Sequence, residues 1–355
     1  MARSSRHNDS KCETLLQRNA EKSRGIMLAF IVRRLLLAIL TIWVISILSF
    51  AIIQLPPGDF VTAYIAQASA SGASVSEAEA VALRELYGIG QPFYLQYAKW
   101  MMRVLTGDFG VSMEWNRPVT EVIGDRLWLT MLISFAALIV TWGLALPIGI
   151  YSAVRQYSVG DYLFTLVGFI GLAVPNFLLA LVIMYLSFRF FGANVGGLFS
   201  SEYELADWSF AKAWDLIKHL PLPAVILALG GTAQLIRIMR ANLLDELRRP
   251  YVVTARAKGL SEKRVILKYP VRAALNPFAS TVAYLFPYLV SGSVIISIVL
   301  SLPTVGPLLV RSLISQDMFL AGTIVLLLGV LTVVGTFISD LVLMWVDPRI
   351  RHQLD

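Results

Sequence analysis

Long apolar runs without a charged residue recur along this chain, and they constrain its fold more than any other feature. They lie at residues 35–55, 127–154, 162–188, 220–236, 273–310 and 318–339. A bilayer core is crossed by about 20 helical residues, so the runs predict six transmembrane helices. A composition of 57% hydrophobic and 15% charged residues is also typical of a membrane protein. We therefore predict an all-α polytopic membrane protein.

The fourth and fifth runs deviate from one span each. Run 220–236 is short at its polar end, whereas run 273–310 is too long for one helix and contains Pro277, Pro287, Pro303 and Pro307. We divide the fifth run into a span to about residue 300 and a non-helical or re-entrant segment, whose backbone must be surrounded by protein or water.

The distribution of positive charge predicts the orientation. With both termini inside, 21 of the 30 lysine and arginine residues lie on the cytoplasmic side. Short cytoplasmic loops carry such an excess, and residues 237–272 contribute most to it. Both termini are therefore expected in the cytoplasm.

These spans divide the chain into five parts. They are a disordered tail (1–26), a first transmembrane helix (27–56), a large external loop (57–126), a transmembrane core (127–348) with a cytoplasmic loop at 241–272, and a C-terminal tail (349–355). We expect Met27 to be an alternative start, because it leads directly into the first span. In the external loop we predict helices at 73–87 and 93–105, and Tyr94, Tyr97 and Trp100 suit a helix on the membrane surface. The loop either caps the bundle or docks a partner.

The basic segment 237–272 contains a glycine with a specific local pattern. Gly259 suits the residue after a helix end, with Leu260 packing back on that helix. Ser261 then suits the N-cap of a second helix, and Leu260 with Val265 suits a hydrophobic staple. A non-glycine residue with positive φ there would cost on the order of 1 kcal/mol. The pattern predicts two short helices at a fixed angle, either as a docking knob or as a structural corner, while the charge alone also fits membrane orientation or anionic lipid.

Residues 251–276 resemble the coupling (EAA) loop of binding-protein-dependent ABC transporter permeases, and more narrowly those of dipeptide, oligopeptide and nickel importers. Gly259 matches the signature glycine of that loop. Val253, Thr254 and Ala255 stand where the general pattern has Glu-Ala-Ala, and Arg272 replaces a proline. These departures resemble the peptide branch.

Further motifs extend the resemblance from Met27 over nearly the whole chain. They are residues 33–37, Pro-Gly-Asp within 55–59, and the segments 90–97, 107–110, 117–121 and 302–306, followed by Asp317.

The resemblance implies a type I ABC importer permease fold in the inner or plasma membrane of a bacterium or archaeon. It implies a second permease subunit, two ABC ATPase subunits and an external binding protein as partners, besides the lipid bilayer. It also implies peptides as the substrate, with oligosaccharides and nickel chelates as alternatives. The residues expected to couple to the ATPase are Tyr251, Thr254, Ala255, Arg256, Ala257, Lys258, Gly259, Leu260, Ser261 and Arg264.

The sequence lacks the motifs of several other functions. It contains no GxxxxGK[ST] phosphate-binding loop, so another chain must hydrolyse ATP and we predict no enzyme activity. No base accompanies the serines of the spans, and the three histidines and the single Cys12 have no metal-ligand spacing. We therefore expect no catalytic residues, no metal, no cofactor and no nucleic-acid partner.

An ion-coupled secondary transporter is the alternative from another class. Such proteins place ionisable residues at mid-membrane and contain internal repeats, yet the six runs carry no charge and show no clear repeat. The polar candidates for lining a pathway are Asn176, Gln234, Ser291 and Ser293, each of which could instead pack helices.

Overall fold

The computed structural model describes residues 31–51, 61–62, 65, 68–69, 75–87, 90–192, 196–204, 206–275, 278 and 294–346. Apart from one two-stranded ribbon, the regular elements of these residues are helices. The prediction of an all-α architecture is confirmed for this part of the chain.

The helices of the described residues range from 5 to 36 residues in length. Before the core come α1 (Ile31–Ala51), α2 (Glu77–Tyr87), α3 (Phe93–Leu105) and the antiparallel strands β1 (Val111–Ser112) and β2 (Arg117–Pro118). The core begins with α4 (Val119–Val154), α5 (Val159–Ala173), α6 (Asn176–Phe191), α7 (Phe210–His219) and α8 (Pro221–Leu247). It continues with α9 (Pro250–Ala257), α10 (Glu262–Lys268), α11 (Pro270–Ala274), α12 (Val294–Val299), α13 (Val305–Ile314) and α14 (Met318–Val346).

Four helices of the described residues are long and apolar enough to cross a membrane, and a bent helix pair makes a fifth candidate. The four are α1, α4, α7 together with α8, and α14. The predicted fifth run, 273–310, lies largely outside the described residues. Its described end contains α12, a break at 300–304 and the helix α13, so the non-helical part expected after residue 300 is short.

The run 162–188, predicted as one span, is bent in the structure. α5 and α6 meet at an angle of 104°. Val174 has an extended backbone (φ −90°, ψ 124°) because the ring of Pro175 disfavours the helical conformation of the preceding residue.

α4 and α8 form the centre of the bundle. At their closest approach, a Cβ on Gly149 would lie 2.6 Å from the Cβ of Met239. Met239 belongs to a buried cluster with Ala145, Ala153 and Leu235, and Gly149 is itself buried. Glycine and alanine at the crossing let the two helices pack closely, as in other membrane bundles.

The aromatic face of α3 packs against the first span. Phe50 of α1 stacks on Trp100 with 5.5 Å between ring centroids, and it contacts Tyr97 edge-on at 5.7 Å. The hydroxyl groups of Tyr97 and Ser46 are hydrogen-bonded at 2.8 Å. Tyr97 and Trp100 are therefore covered by protein, while Tyr94 is 68% exposed. Of the three residues predicted to lie at the membrane surface, Tyr94 alone keeps an exposed ring.

A buried carboxylate attaches the β ribbon to the last span. Asp317 precedes α14 and accepts a hydrogen bond from Leu320 N–H at 3.1 Å, which caps that helix. Its other oxygen accepts from Ser112 Oγ at 2.5 Å and from the Met113 and Glu114 N–H groups at 2.9 and 3.2 Å. The ribbon and α14 therefore share one polar anchor.

Candidate functional site

A glycine joint lies between α9 and α10, as the sequence predicts. Gly259 has φ +75°, and its N–H donates to the Arg256 carbonyl at 2.9 Å. A Cβ at this position would meet nothing within 4 Å. The requirement for glycine is therefore conformational, since the positive φ favours glycine although the space is open.

The inner face of the 251–268 segment closes on itself. Val252 and Ala255 of α9 and Val265 of α10 are buried together, with Leu260 and Tyr269 partly buried against them. Leu260 thus makes the return contact expected of the residue after the joint. This small apolar cluster fixes the angle between the two helices.

An ion pair spans the joint on its outer side. Arg256 donates from two nitrogens to the two carboxylate oxygens of Glu262, at 2.6 and 3.2 Å. The hydrogen bond from Arg256 lowers the pKa of Glu262, and the same bond raises the pKa of Arg256. Both groups are therefore charged at neutral pH, and the bidentate geometry restrains the two helices as a unit.

Ser261 occupies the predicted N-cap position, but its side chain makes no cap hydrogen bond. Its backbone is extended (φ −62°, ψ 142°), and its carbonyl accepts the Val265 N–H at 2.9 Å. The start of α10 thus depends on the backbone, and the predicted side-chain cap is wrong.

Most of the residues predicted to couple to an ATPase are exposed in this chain. The exposed set comprises Tyr251, Thr254, Arg256, Ala257, Lys258, Gly259, Ser261 and Arg264. Ala255 is buried and Leu260 is half-buried, because both belong to the cluster that closes the joint. These two residues can shape a docking surface but do not form its outer face.

Sequence reasoning missed two apolar members of this surface. Val253 is 59% exposed and Leu267 is 60% exposed, among basic side chains of the same two helices. The signal was available, since neither residue falls on the buried face that carries Val252 and Val265. An exposed face that mixes apolar and basic residues is suited to bind a protein partner.

The helices on the C-terminal side of the joint pack against α8. Ile266 of α10 and Val271 and Ala274 of α11 share one buried cluster with Met239 and Leu243 of α8. A push on the exposed face of the 251–268 segment would therefore reach α8 through packed side chains.

A buried ion pair joins α8 to α5 close to these packing contacts. Arg240 donates from two nitrogens to the oxygens of Asp161, at 2.8 and 2.9 Å, and Asp161 is 2% exposed. Asp161 also accepts from Tyr157 N–H at 3.0 Å, while its own N–H donates to Ser158 Oγ, the N-cap of α5. Sequence reasoning missed this pair. Ser158 three residues before an acid was the local signal for a capped helix, but nothing in the sequence identified Arg240 as the partner.

The candidate pathway residues are only partly brought together. Asn176 begins α6 directly after the bend, and a Cβ on Gly230 of α8 would lie 3.1 Å from its side-chain nitrogen. Gln234 is one turn further along α8 and is exposed in this chain. Ser291 and Ser293 lie outside the described residues.

Metal ligands do not gather within the part of the chain that the structure describes. No group of three or more His, Cys, Asp or Glu residues there could hold a metal ion.

Nearly the whole chain is similar to known transport proteins. The sequence profile of the family described as "Binding-protein-dependent transport system inner membrane component" matches residues 145–352, and its N-terminal companion matches residues 27–134. The oligopeptide transport system permease protein AppB of Bacillus subtilis (strain 168) is 38% identical, over 92% of this chain and 100% of its own length. The dipeptide transport system permease protein DppB of Alkalihalophilus pseudofirmus is 29% identical, over 92% and 100% of the two chains.

Among solved structures, a chain of the MetNI methionine ABC transporter in an inward-facing conformation matches with a TM-score of 0.49 and 16% identity. The match covers 64% of this chain and 97% of that one.

The two profiles together match residues 27–134 and 145–352, the AppB relative covers 92% of the chain, and the apolar helices agree with both findings. The chain therefore belongs to the family of binding-protein-dependent transport system inner membrane components, and is a multi-pass permease subunit of an ABC importer.

Proposed function

We propose that this chain forms, together with a second permease subunit, the membrane pathway of an ATP-driven importer of di- and oligopeptides. The observation that carries the proposal is the glycine joint at Gly259, which is closed on its inner face, exposed on its outer face and packed onto α8. Because the joint is rigid, a movement of its exposed face is passed on to α8.

The exposed face of the 251–268 segment docks into a cleft of an ABC ATPase subunit. Lys258 and Arg264 supply positive charge to this face, and Val253 and Leu267 supply exposed apolar area. Apolar contacts give docking most of its affinity, whereas charges fix its register. Each of the two permeases engages one of two ATPase subunits.

Closure of the ATPase subunits around ATP moves the 251–268 segment. The Val252, Ala255 and Val265 cluster and the Arg256–Glu262 pair keep the joint rigid. The movement therefore passes through Ile266 to α8 and rotates the bundle between outward-facing and inward-facing arrangements. Transitions of this kind depend on rigid elements that join two bistable assemblies.

The termini, the external segment and the transmembrane core also have proposed roles. Both termini, including the tail at 349–355, lie in the cytoplasm, where the basic residues of the short loops concentrate. The segment 57–126 lies outside and faces the binding protein, while residues 127–348 form the pathway with the cytoplasmic loop 241–272. ATP is hydrolysed by the partner subunits, since this sequence contains no phosphate-binding loop motif.

Peptides are the proposed cargo because the oligopeptide and dipeptide permeases cited above match this chain along their entire length. Asn176 and Gln234 on the α6 and α8 sides are the proposed polar lining, with Ser291 and Ser293 from the fifth run.

The test is transport by a reconstituted complex. The chain is co-expressed with its genomic neighbours that encode the second permease and the ATPases, and the complex is placed in proteoliposomes with the binding protein outside. The proposal predicts ATP-dependent uptake of labelled di- and oligopeptides. Uptake of an oligosaccharide or a nickel chelate in place of peptides would contradict the cargo. Uptake driven by an ion gradient through this chain alone would contradict the mechanism.

A further inference from the structure

Helix α7 buries two charged residues and exposes three large apolar ones, although Leu216 is buried and Lys218 is exposed. Lys212 and Asp215 are buried, at 7% and 8% exposure. Phe210, Trp214 and Ile217 are 89%, 54% and 55% exposed. This is the reverse of the pattern of a helix that faces water.

The polar face of α7 is covered by the segment that precedes it. Asp215 accepts hydrogen bonds from Ser200 N–H and Ser200 Oγ, each at 2.7 Å. Lys212 donates to the Ala206 carbonyl at 2.5 Å, and its ammonium lies 5.0 and 5.3 Å from the ring centroids of Phe199 and Trp208. Because these charged groups have partners within the chain, burial of the polar face is energetically satisfied.

The apolar face of α7 is continuous with the membrane-spanning helix that follows. Phe210, Trp214 and Ile217 recur at intervals of four and three residues, and Pro221 and Val225 of α8 continue the same stripe as exposed residues. Residues of α7 and α8 together qualify as one candidate span. The 251–268 segment lies beyond the other end of α8, so α7 lies at the opposite membrane face.

We propose that the stripe of Phe210, Trp214 and Ile217 is a lipid-binding surface that seats α7 in the boundary between acyl chains and phospholipid head groups. Tryptophan is enriched at this depth because its ring is apolar and its N–H is polar. Lys218, whose ammonium lies 5.9 Å from the Trp214 ring centroid, extends from the same side toward the head-group phosphates. Contact with lipid also explains why Lys212 and Asp215 point into the protein.

The single cysteine of the chain allows a direct test. In a Cys12→Ser background, single cysteines are introduced by Trp214→Cys and Ile217→Cys, and Phe210→Cys serves as a third site if one of these does not assemble. Glu202→Cys is the matched control, because Glu202 is exposed in the covering segment and lies off the stripe. Each cysteine is spin-labelled in the assembled transporter, reconstituted in phosphatidylethanolamine and phosphatidylglycerol vesicles.

Collision of the labels with membrane-soluble oxygen and with a water-soluble nickel chelate then distinguishes the surroundings. The proposal predicts an oxygen-to-nickel collision ratio several-fold higher at 214 and 217 than at 202. Frequent nickel collisions on the stripe would overturn it, since the face would be in water. Labels that collide with neither reagent once the second permease is present would overturn it as well, since that subunit would cover the stripe.

Discussion

Arg240 and Asp161 form a bidentate ion pair, at 2.8 and 2.9 Å, that fastens α5 to α8. The pair is largely removed from solvent, with 28% of the Arg240 side chain and 3% of the Asp161 side chain exposed. It lies one turn from Leu243, to which the 251–268 segment is packed. Movement of α8 is thereby coupled to the first half of the bent pair.

Removing one partner of this pair should destabilise the protein. We expect Asp161→Asn to lower the free energy of unfolding by about 3 kcal/mol, because it leaves the Arg240 guanidinium without its carboxylate in a mostly buried position. Stability is measured by SDS titration in dodecyl maltoside micelles. Glu121→Gln is the control, since it breaks the exposed Arg117–Glu121 pair and should cost no more than about 0.5 kcal/mol. Equal effects of the two substitutions would contradict the assigned role.

Adding a single methyl group where α4 and α8 pack together should lower the stability of the protein. In Gly149→Ala the new Cβ would lie 2.6 Å from the Met239 Cβ, so the helices must separate, and we expect a loss of about 2 kcal/mol. Gly143 is on the same helix with nothing within 4 Å of its would-be Cβ. Gly143→Ala should therefore be neutral or stabilising by up to about 1 kcal/mol. A comparison of the two variants by thermal unfolding checks the close approach, which would be refuted if both alanines were tolerated.

The stability contribution of Asp317 should increase on acidification. Burial raises the pKa of Asp317, and this effect outweighs the four hydrogen bonds that the carboxylate accepts. Below the raised pKa and above the ordinary value, the folded protein binds a proton that the unfolded chain does not bind. The free energy of unfolding therefore decreases as pH rises through this interval.

This dependence is checked by thermal unfolding of the wild type and Asp317→Asn between pH 8 and pH 5. The melting temperature of the wild type should rise relative to that of the variant as the pH falls. No relative change over this interval would contradict the prediction, since it would show that the hydrogen bonds from Ser112, Met113 and Glu114 dominate and keep the carboxylate charged.

Local patterns of the sequence predict the elements that depend on neighbouring residues. The joint at Gly259 and the helix Phe93–Leu105 were predictable because a glycine, a serine and a proline at fixed offsets mark helix ends. The bend at Pro175 had a local signal too, yet the uncharged run 162–188 suggested one span, because hydropathy does not register a change of direction.

Features that depend on tertiary contacts could not be predicted in the same way. Asp161 and Arg240 are 79 residues apart in the sequence. From their charges alone, each would be placed at the aqueous end of its transmembrane helix, without a partner being identified. The stripe on α7 is visible as a pattern, but only the contacts of Lys212 and Asp215 identify the polar face as the buried one. The roles of Asn176, Gln234, Ser291 and Ser293 in the pathway stay predictions.

The central claim, that energy enters through the joint at Gly259, is tested most directly by a matched pair of glycine substitutions. Gly259 and Gly192 have φ of +75° and +61°, each follows the end of a helix, and a Cβ on either would meet nothing within 4 Å. Leucine should therefore cost each site a similar strain, on the order of 1 kcal/mol. Only Gly259 lies on the proposed docking face.

The decisive measurement is ATP-dependent peptide uptake by proteoliposomes that contain equal amounts of assembled transporter. We expect Gly259→Leu to insert and fold normally but to reduce uptake roughly tenfold or more, since every ~1.4 kcal/mol lost from docking is a factor of ten in affinity. Gly192→Leu should retain near-normal uptake. Normal uptake by Gly259→Leu, or an equal loss in both variants, would contradict the claim.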